Sequence, residues 1–260
     1  MELIDTHCHI DLEVFQPDLD QVLEQARTAG LGAIVVPAIQ QSNWCAVQKV
    51  CALHSGFLFP ALGLHPVFVD QHLDRHLNEL VVALQDSTVI AVGEIGLDFY
   101  IKSLPRVRQL QLFEAQLEIA SQARLPVILH IRKAYDEVIR LLSKSTLHGG
   151  IAHAFNGSRQ QAFKLIDHGF MLGFGGTMTY SNASRIHRLA RELPLDAMVL
   201  ETDAPDMVVA QFRGERNSPA YLPYCLQALA QLRSESPDII AQVTTANARH
   251  VLKLPSRRSA

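Results

Sequence analysis

Val89-Ile90-Ala91-Val92-Gly93-Glu94-Ile95-Gly96, a helix-length segment over about 106–124, and Pro126-Val127-Ile128-Leu129-His130 follow one another in mid-chain. The outer two are apolar runs of strand length. The segment between them is long enough to cross back over a sheet, so the three read as strand, crossover helix and parallel strand. Each strand carries one residue of metal-ligand type at its C-terminal end, Glu94 in the first and His130 in the second.

The alternation extends both ways. Toward the N-terminus, 3–9, 32–37 and 57–63 read as strands. Helices over 17–30, 42–54 and 73–85 follow them, the first ended by Gly30 as a C-terminal cap. Toward the C-terminus, helices over 135–142, 158–168 and 184–192 lead into strands at 150–153, 170–174 and 198–203. Helices over 220–232 and 237–252 close the chain, and 255–260 reads as a frayed basic tail. Eight strands, each followed by a helix, within 260 residues predict an α/β fold of the (β/α)8 TIM-barrel type, one domain spanning 1–260. An open doubly wound sheet is the alternative. The first strand-to-helix turn lacks G-x-G-x-x-G, however, and the strand count favours closure.

Composition is that of an ordinary globular protein, 48% hydrophobic and 19% charged, with a formal net charge of −3. Without a global basic signature, contact with nucleic acid must rest on a local patch or on metal ions. The four cysteines, Cys8, Cys45, Cys51 and Cys225, form no C-x-x-C pair and read as free thiols in a reducing compartment. No leader pattern and no run of eighteen apolar residues is present, and cleavage of a leader would remove His7 and His9. The expected location is the cytoplasm, with no membrane contact and no obligate protein partner.

Asp5-Thr6-His7-Cys8-His9 ends the first strand. Strand alternation puts Asp5, His7 and His9 on one face and Cys8 on the other, in the core. Asp5 is expected to orient one imidazole by accepting its second N–H. Strand six then ends in His153 and strand eight in Asp203, and in a barrel all strand ends open on one face. His7, His9, Glu94, His130, His153 and Asp203 therefore predict a two-metal site. Four imidazoles with two carboxylates favour zinc or manganese, with magnesium a third option. His7, His9 and Asp203 are expected on one ion, His130 and His153 on the other, with Glu94 between. A shared water would then become the nucleophile, with Asp203 taking or orienting its proton.

His65, in Gly63-Leu64-His65-Pro66, finds no vacancy there and is assigned to substrate contact or leaving-group assistance. Glu201 shares a face with Asp203 and is expected to support the ligands from behind. The remaining histidines, His54, His72, His76, His148, His168, His187 and His250, read as surface residues. Lys102, Arg106, Arg108, Arg132, Lys133, Arg213 and Arg216 fall near the expected mouth as phosphate contacts. Tyr100, Phe155 and Tyr180 are candidates for stacking on unpaired bases. Gly173-Phe174-Gly175-Gly176-Thr177 reads as a tight turn rather than a phosphate loop.

Asp5-Thr6-His7-Cys8-His9, Gly63-Leu64-His65-Pro66, Gly93-Glu94-Ile95-Gly96-Leu97-Asp98-Phe99-Tyr100, Leu125-Pro126-Val127-Ile128-Leu129-His130-Ile131-Arg132, His153-Ala154-Phe155-Asn156-Gly157 and Glu201-Thr202-Asp203-Ala204-Pro205 resemble, in order, the signatures of the TatD family of metal-dependent deoxyribonucleases. The resemblance implies an amidohydrolase-type barrel, a divalent metal site on the same six residues, and hydrolysis of DNA phosphodiester bonds, in some members from the 3′ end. The expected substrate is single-stranded DNA or a frayed end. Where many amidohydrolases bridge their metals with a modified lysine, Glu94 stands on the fourth strand. Asn156 replaces the more usual Ser or Thr of the His-Cys-Phe-Ser/Thr-Gly signature, which places a carboxamide among the substrate contacts. Two other functions fit the residues: an ester or amide hydrolase such as an aminoacyl-tRNA deacylase, and a non-catalytic metal- or nucleic-acid-binding barrel.

Overall fold

Strands β1 (Leu3–Asp5), β2 (Leu31–Pro37), β3 (Leu58–Leu62), β4 (Ala91–Asp98), β5 (Val127–Arg132), β6 (Gly150–Ala152), β7 (Phe170–Phe174) and β8 (Met198–Leu200) form one sheet in sequential order. Every adjacent pair from β1 to β8 is parallel. The geometry is that of a computed structural model describing residues 2–255, so the expected tail over 255–260 lies, but for Pro255, outside the described residues. Between the strands run α1 (Leu19–Thr28), α2 (Trp44–Leu53), α3 (Asp74–Ala83), α4 (Arg106–Ala123), α5 (Tyr135–Leu142), α6 (Arg159–Asp167) and α7 (Ser184–Glu192). Helices α8 (Leu222–Arg233) and α9 (Pro237–Leu252) follow β8. The chain is a (β/α)8 TIM barrel.

Inside the barrel, Ile4, Val35, Ala61, Ala91, Ile128, Ile151 and Val199 pack into one buried apolar cluster. Val251 and Leu252 of α9 belong to it, so α9 plugs the end of the barrel away from the strand C-termini. The larger core lies between strands and helices and includes Cys8, as strand alternation predicts. Such filling leaves only the C-terminal mouth for chemistry. No helix among the described residues is long and apolar enough to cross a membrane.

The first, fourth, fifth and eighth strands depart by two residues or more at an end from expectation and shape the mouth; the eighth ends at Leu200, leaving Asp203 beyond it. The first strand ends at Asp5 rather than His9. Beyond it, residues 6–9 close the barrel against 200–204 through irregular bonds: Thr6 N–H donates to Leu200 O (3.1 Å), Asp203 N–H to His7 O (2.8 Å) and His9 N–H to Ala204 O (2.8 Å). Asp203 has a left-handed backbone, φ 58°, which breaks the regular ladder there. The fourth strand runs on to Asp98, and its register with β5 shifts between Val92 and Ile95. Glu94 stands at this irregularity, where a strand re-aims a side chain. Gly96 is paired with His130 at φ 147°, and a Cβ there would lie 2.0 Å from the His130 carbonyl oxygen. Glu94 and His130 accordingly sit within their strands, not at the ends.

Candidate metal centre

Four donor atoms meet at the barrel mouth. His7 Nε2 lies 3.2 Å from His9 Nε2, 3.1 Å from Glu94 Oε2 and 3.7 Å from Asp203 Oδ1. His9 Nε2 is 3.7 Å from the same Glu94 oxygen and 3.8 Å from the same Asp203 oxygen. Ligands about 2.0–2.1 Å from a tetrahedral ion are separated by roughly 3.3 Å, so the spacings within His7, His9 and Glu94 suit a cation, and Asp203 joins His7 and His153 in a second such group. They form no pairwise hydrogen-bond pattern that would satisfy all four groups. The other oxygen of Glu94 faces His130 Nδ1 at 3.0 Å and His65 Nε2 at 3.3 Å. His153 Nε2 lies 3.5 Å from Asp203 Oδ1, and its ring stacks on His7 at 3.6 Å between centroids.

The imidazoles are turned by partners on other strands. His9 Nδ1 lies 3.1 Å from the Pro37 carbonyl oxygen, which only an N–H can satisfy, so the Nε2 lone pair is directed into the site. His130 Nε2 faces Asp98 Oδ2 at 3.2 Å, leaving Nδ1 toward Glu94. His153 Nδ1 is 3.1 Å from Glu201 Oε1, although misaligned for a hydrogen bond, and that oxygen accepts the Ala154 N–H at 2.7 Å. His65 differs: its Nδ1 accepts the Val67 N–H at 3.1 Å, so the ring proton sits on Nε2 and points at Glu94. That tautomer donates a hydrogen bond and offers no lone pair inward. His7 Nδ1 and Glu201 Oε2 are buried with no hydrogen-bond partner among the described residues.

Electrostatics follow from this enclosure. Burial alone would raise Glu94, but the His65, His7 and His130 rings outweigh it and hold the carboxyl well below its usual range. Burial also opposes ionisation of Asp203, and the His153, His7 and His9 rings again bring it down. Burial pushes His65 down to about 4, so it is neutral at neutral pH. His130 and His153 go the other way. Burial disfavours their charge, but Asp98 and Glu94 raise the first, and Glu201 and Asp203 raise the second well above the usual value. Without a cation each is a proton held between two carboxylates, a place a divalent ion can take.

The six expected ligands are thus together at one mouth: His9, Glu94, His130, His153 and Asp203 line a cavity of about 600 Å³ with Phe68, Arg132, Asn156 and Met207, and His7 is fully buried behind them. Their grouping differs from the expected one. His153 clusters with His7 and Asp203, and His130 with His65 and Glu94, because Glu201 draws the first ring toward β8 and Asp98 draws the second toward β4.

Other expectations are corrected. Asp5 orients no imidazole: it accepts the backbone N–H of His7 (3.2 Å) and of Thr202 (2.9 Å) and the Thr202 hydroxyl (2.5 Å), tying β1 to the segment after β8. His72 and His76 are buried, not surface, residues, the first with Nε2 on the His65 carbonyl oxygen at 2.9 Å. Phe155 is core, packed on Tyr135, and the Tyr180 hydroxyl donates to Val208 O. Arg108 is engaged by Asp74 and Arg216 by Asp18, while Arg106 lies over the Phe99 ring. Lys102 and Arg213 are exposed and line neither this cavity nor its neighbour. Gly173 serves packing, since a Cβ there would lie 2.2 Å from Glu201 Oε2.

Sequence reading missed Asp98, Gln109, Gln116 and Asn217, all fully or almost fully buried. Gln109 accepts the Asp98 N–H (2.8 Å) and donates to its carbonyl (3.0 Å). Gln116 does the same for Leu64, next to His65, at 2.7 and 3.2 Å. Asn217 donates to the carbonyls of Thr202 (2.8 Å) and Asp206 (2.6 Å), on either side of Asp203. Asp98 was findable, since strand alternation gives it the face of Glu94. The two glutamines lie seven apart on the buried face of α4, where a polar residue asks for a partner. Nothing local marks Asn217.

The sequence profile of the TatD related DNase family matches residues 4–253. Over 257 residues the chain is 40% identical to the Escherichia coli (strain K12) protein named "Uncharacterized metal-dependent hydrolase YjjV", covering 97% of this chain and 98% of that one. It is 33% identical over 254 residues to the "3'-5' ssDNA/RNA exonuclease TatD" of Rahnella sp. (strain Y9602), covering 94% and 95%. The crystal structure of YjjV, a TatD homolog from Escherichia coli K12, matches with a TM-score of 0.93 at 39% identity, over 97% of this chain and 98% of that one. With the same signatures gathered at one barrel mouth and the match running from the first strand through the last helix, the chain belongs to the TatD related DNase family.

Proposed function

We propose that this protein is a metal-dependent hydrolase cleaving phosphodiester bonds of single-stranded or frayed DNA. In this reading His7, His9, Glu94, His130, His153 and Asp203 hold two divalent ions, zinc or manganese. The observation that carries it is the overlap of two donor triads at the barrel mouth, His7, His9 and Glu94 at 3.1–3.7 Å from one another and His7, His153 and Asp203, which share His7. The name of the Rahnella relative supports the substrate class. When bound, such ions polarise a phosphoryl oxygen and acidify water.

The chain supplies the rest. His9, with Nδ1–H anchored on Pro37, presents a fixed lone pair. Asp203 stays ionised and lines the cavity, so it can accept a proton from the attacking water. Neutral His65 keeps its Nε2 proton and can donate a hydrogen bond to a departing or non-bridging oxygen. Arg132 at the rim adds positive charge toward the phosphate.

The test is degradation of 3′-labelled and 5′-labelled single-stranded DNA by metal-free protein resupplied with zinc, manganese or magnesium, alongside Glu94→Ala. Metal-dependent products that the variant does not form are expected, the 3′ label released first. Protein that binds metal, leaves DNA intact and releases the acid from a carboxylic or aminoacyl ester would overturn the nuclease reading in favour of carbonyl hydrolysis.

A further inference from the structure

Beside the metal cavity lies a second one of about 610 Å³, also at the barrel mouth, sharing Ile131, Arg132 and Asn156 with it. Its walls come from the residues after β4 and β5, the loop after β6 and the first turn of α7. Three cations line it: Arg132, Lys133 and Arg185, all exposed. Arg185 and Lys133 have no ion pair among the described residues. The two acids in the wall are already engaged, Asp136 by the Gln161 carboxamide at 2.8 Å and Glu137 by Arg140. The cavity is therefore positive in a chain whose net charge is −3.

Its aromatic wall is Tyr100, 54% exposed, with the Arg132 guanidinium 3.9 Å from the ring centroid. An exposed aromatic ring held by an arginine is a stacking platform for a base. The Arg132 guanidinium also lies 4.0 Å from Asp98, the partner of His130, so one side chain joins this wall to the metal cavity. Asn156 stands at the shared rim, its carboxamide unpartnered among the described residues and its backbone N–H held by the Tyr135 hydroxyl at 2.8 Å. Cations for phosphate, an aromatic face for a base and a carboxamide for a base edge are what an unpaired polynucleotide asks of a protein.

We propose that this second cavity is a subsite for the nucleotide next to the scissile phosphate. Tyr100 stacks on its base, and Arg132, Lys133 and Arg185 hold its phosphate. The proposal rests on the nuclease reading for the first cavity and sharpens it: the enzyme needs an unpaired base beside the bond it cuts, so a paired end must fray by more than one nucleotide.

The test uses the full chain with manganese and two substrates, a fluorescein-labelled oligo-dT and bis(p-nitrophenyl) phosphate, which has no base. In Tyr100→Ala, loss of stacking is expected to raise KM for oligo-dT about 5- to 100-fold, at least five times the effect on the aryl ester. Arg185→Ala is expected to lower the slope of log KM against log salt by about one. Anisotropy of the same oligonucleotide with calcium in place of manganese reads binding without turnover. DNA cleavage at wild-type KM by both variants would overturn the subsite and leave the nuclease standing. No DNA cleavage by the wild type, with oligo-dT binding that weakens in both variants, would overturn the nuclease and keep the subsite. An oligonucleotide that neither binds nor is cut would sink both.

Discussion

Replacing Asp98 by asparagine is expected to disable His130 without touching it. Asp98 Oδ1 accepts the backbone N–H groups of Tyr100 (2.9 Å) and Ile101 (3.2 Å), and Oδ2 faces His130 Nε2 at 3.2 Å. An asparagine must keep its oxygen on the two N–H groups, because leaving them unpaired costs about 1–3 kcal/mol each. Its amide nitrogen then faces His130 Nε2 and donates to it. The ring proton moves to Nδ1, the atom 3.0 Å from Glu94, and the lone pair meant for an ion is lost. Replacing such a partner typically costs 10- to 100-fold in metal affinity, about 1.4–2.7 kcal/mol. Calorimetric titration with zinc should show that loss for an ion on His130, while the His7, His153 and Asp203 group, clear of Asp98, keeps its affinity. Long-range 15N–1H correlation of the imidazoles should show the proton on Nδ1. A variant that binds both ions at wild-type strength, with the proton still on Nε2, would refute the reasoning.

Metal uptake should depend on pH through His130 and His153. Both are raised above the ordinary histidine value, so the stability they lend the metal-free protein is full below 6.5 and fades as pH rises through their folded values. An ion must displace those protons, so zinc affinity should climb between pH 6 and 8 with proton release visible in calorimetry across buffers; affinity flat in pH would count against it. For Asp5, burial pushes the carboxyl up to about 7 against the pull of its hydrogen bonds, so its contribution is present below 3.8 and lost as pH rises toward 7. At 1.36 kcal/mol per unit that is on the order of 4 kcal/mol, and metal-free Asp5→Asn should show correspondingly less loss in urea denaturation between pH 4 and 8.

The barrel was legible because parallel strands buried on both faces are written as unbroken apolar runs, and no other pattern interrupts eight of them. The candidate ligands were legible for the same reason: a histidine in Val127-Ile128-Leu129-His130 or a glutamate before Ile95 stands out against its run. What supports them was not. The pairing of Gln109 with Asp98 and of Gln116 with Leu64 depends on how α4 lies against β4 and the loop after β3, and no spacing along the chain encodes that docking. Asp5 was misread because alternation gives the face a side chain takes but not which strand waits there. Barrel closure places Thr202 beside it, and the Asp5 oxygens are taken by Thr202 and the His7 backbone rather than by an imidazole.

Three candidate ligand imidazoles take their partners from other strands: His9 from Pro37 at the end of β2, His130 from Asp98 at the end of β4, His153 from Glu201 after β8. No ligand is fixed by its own segment. The donor spacing therefore depends on registers between strands, and the weakest register is the seam, where β1 and β8 share no regular ladder and 6–9 bonds irregularly to 200–204. The seam also carries three of the donors, His7, His9 and Asp203. Asp5, buried and bonded across it, is then as much a determinant of the metal geometry as the residues that face the cavity, although it touches none of their rings. Asp5, His7, Glu201 and Thr202 are all buried where the sheet meets itself, so closing the barrel and assembling this side of the candidate site are one event.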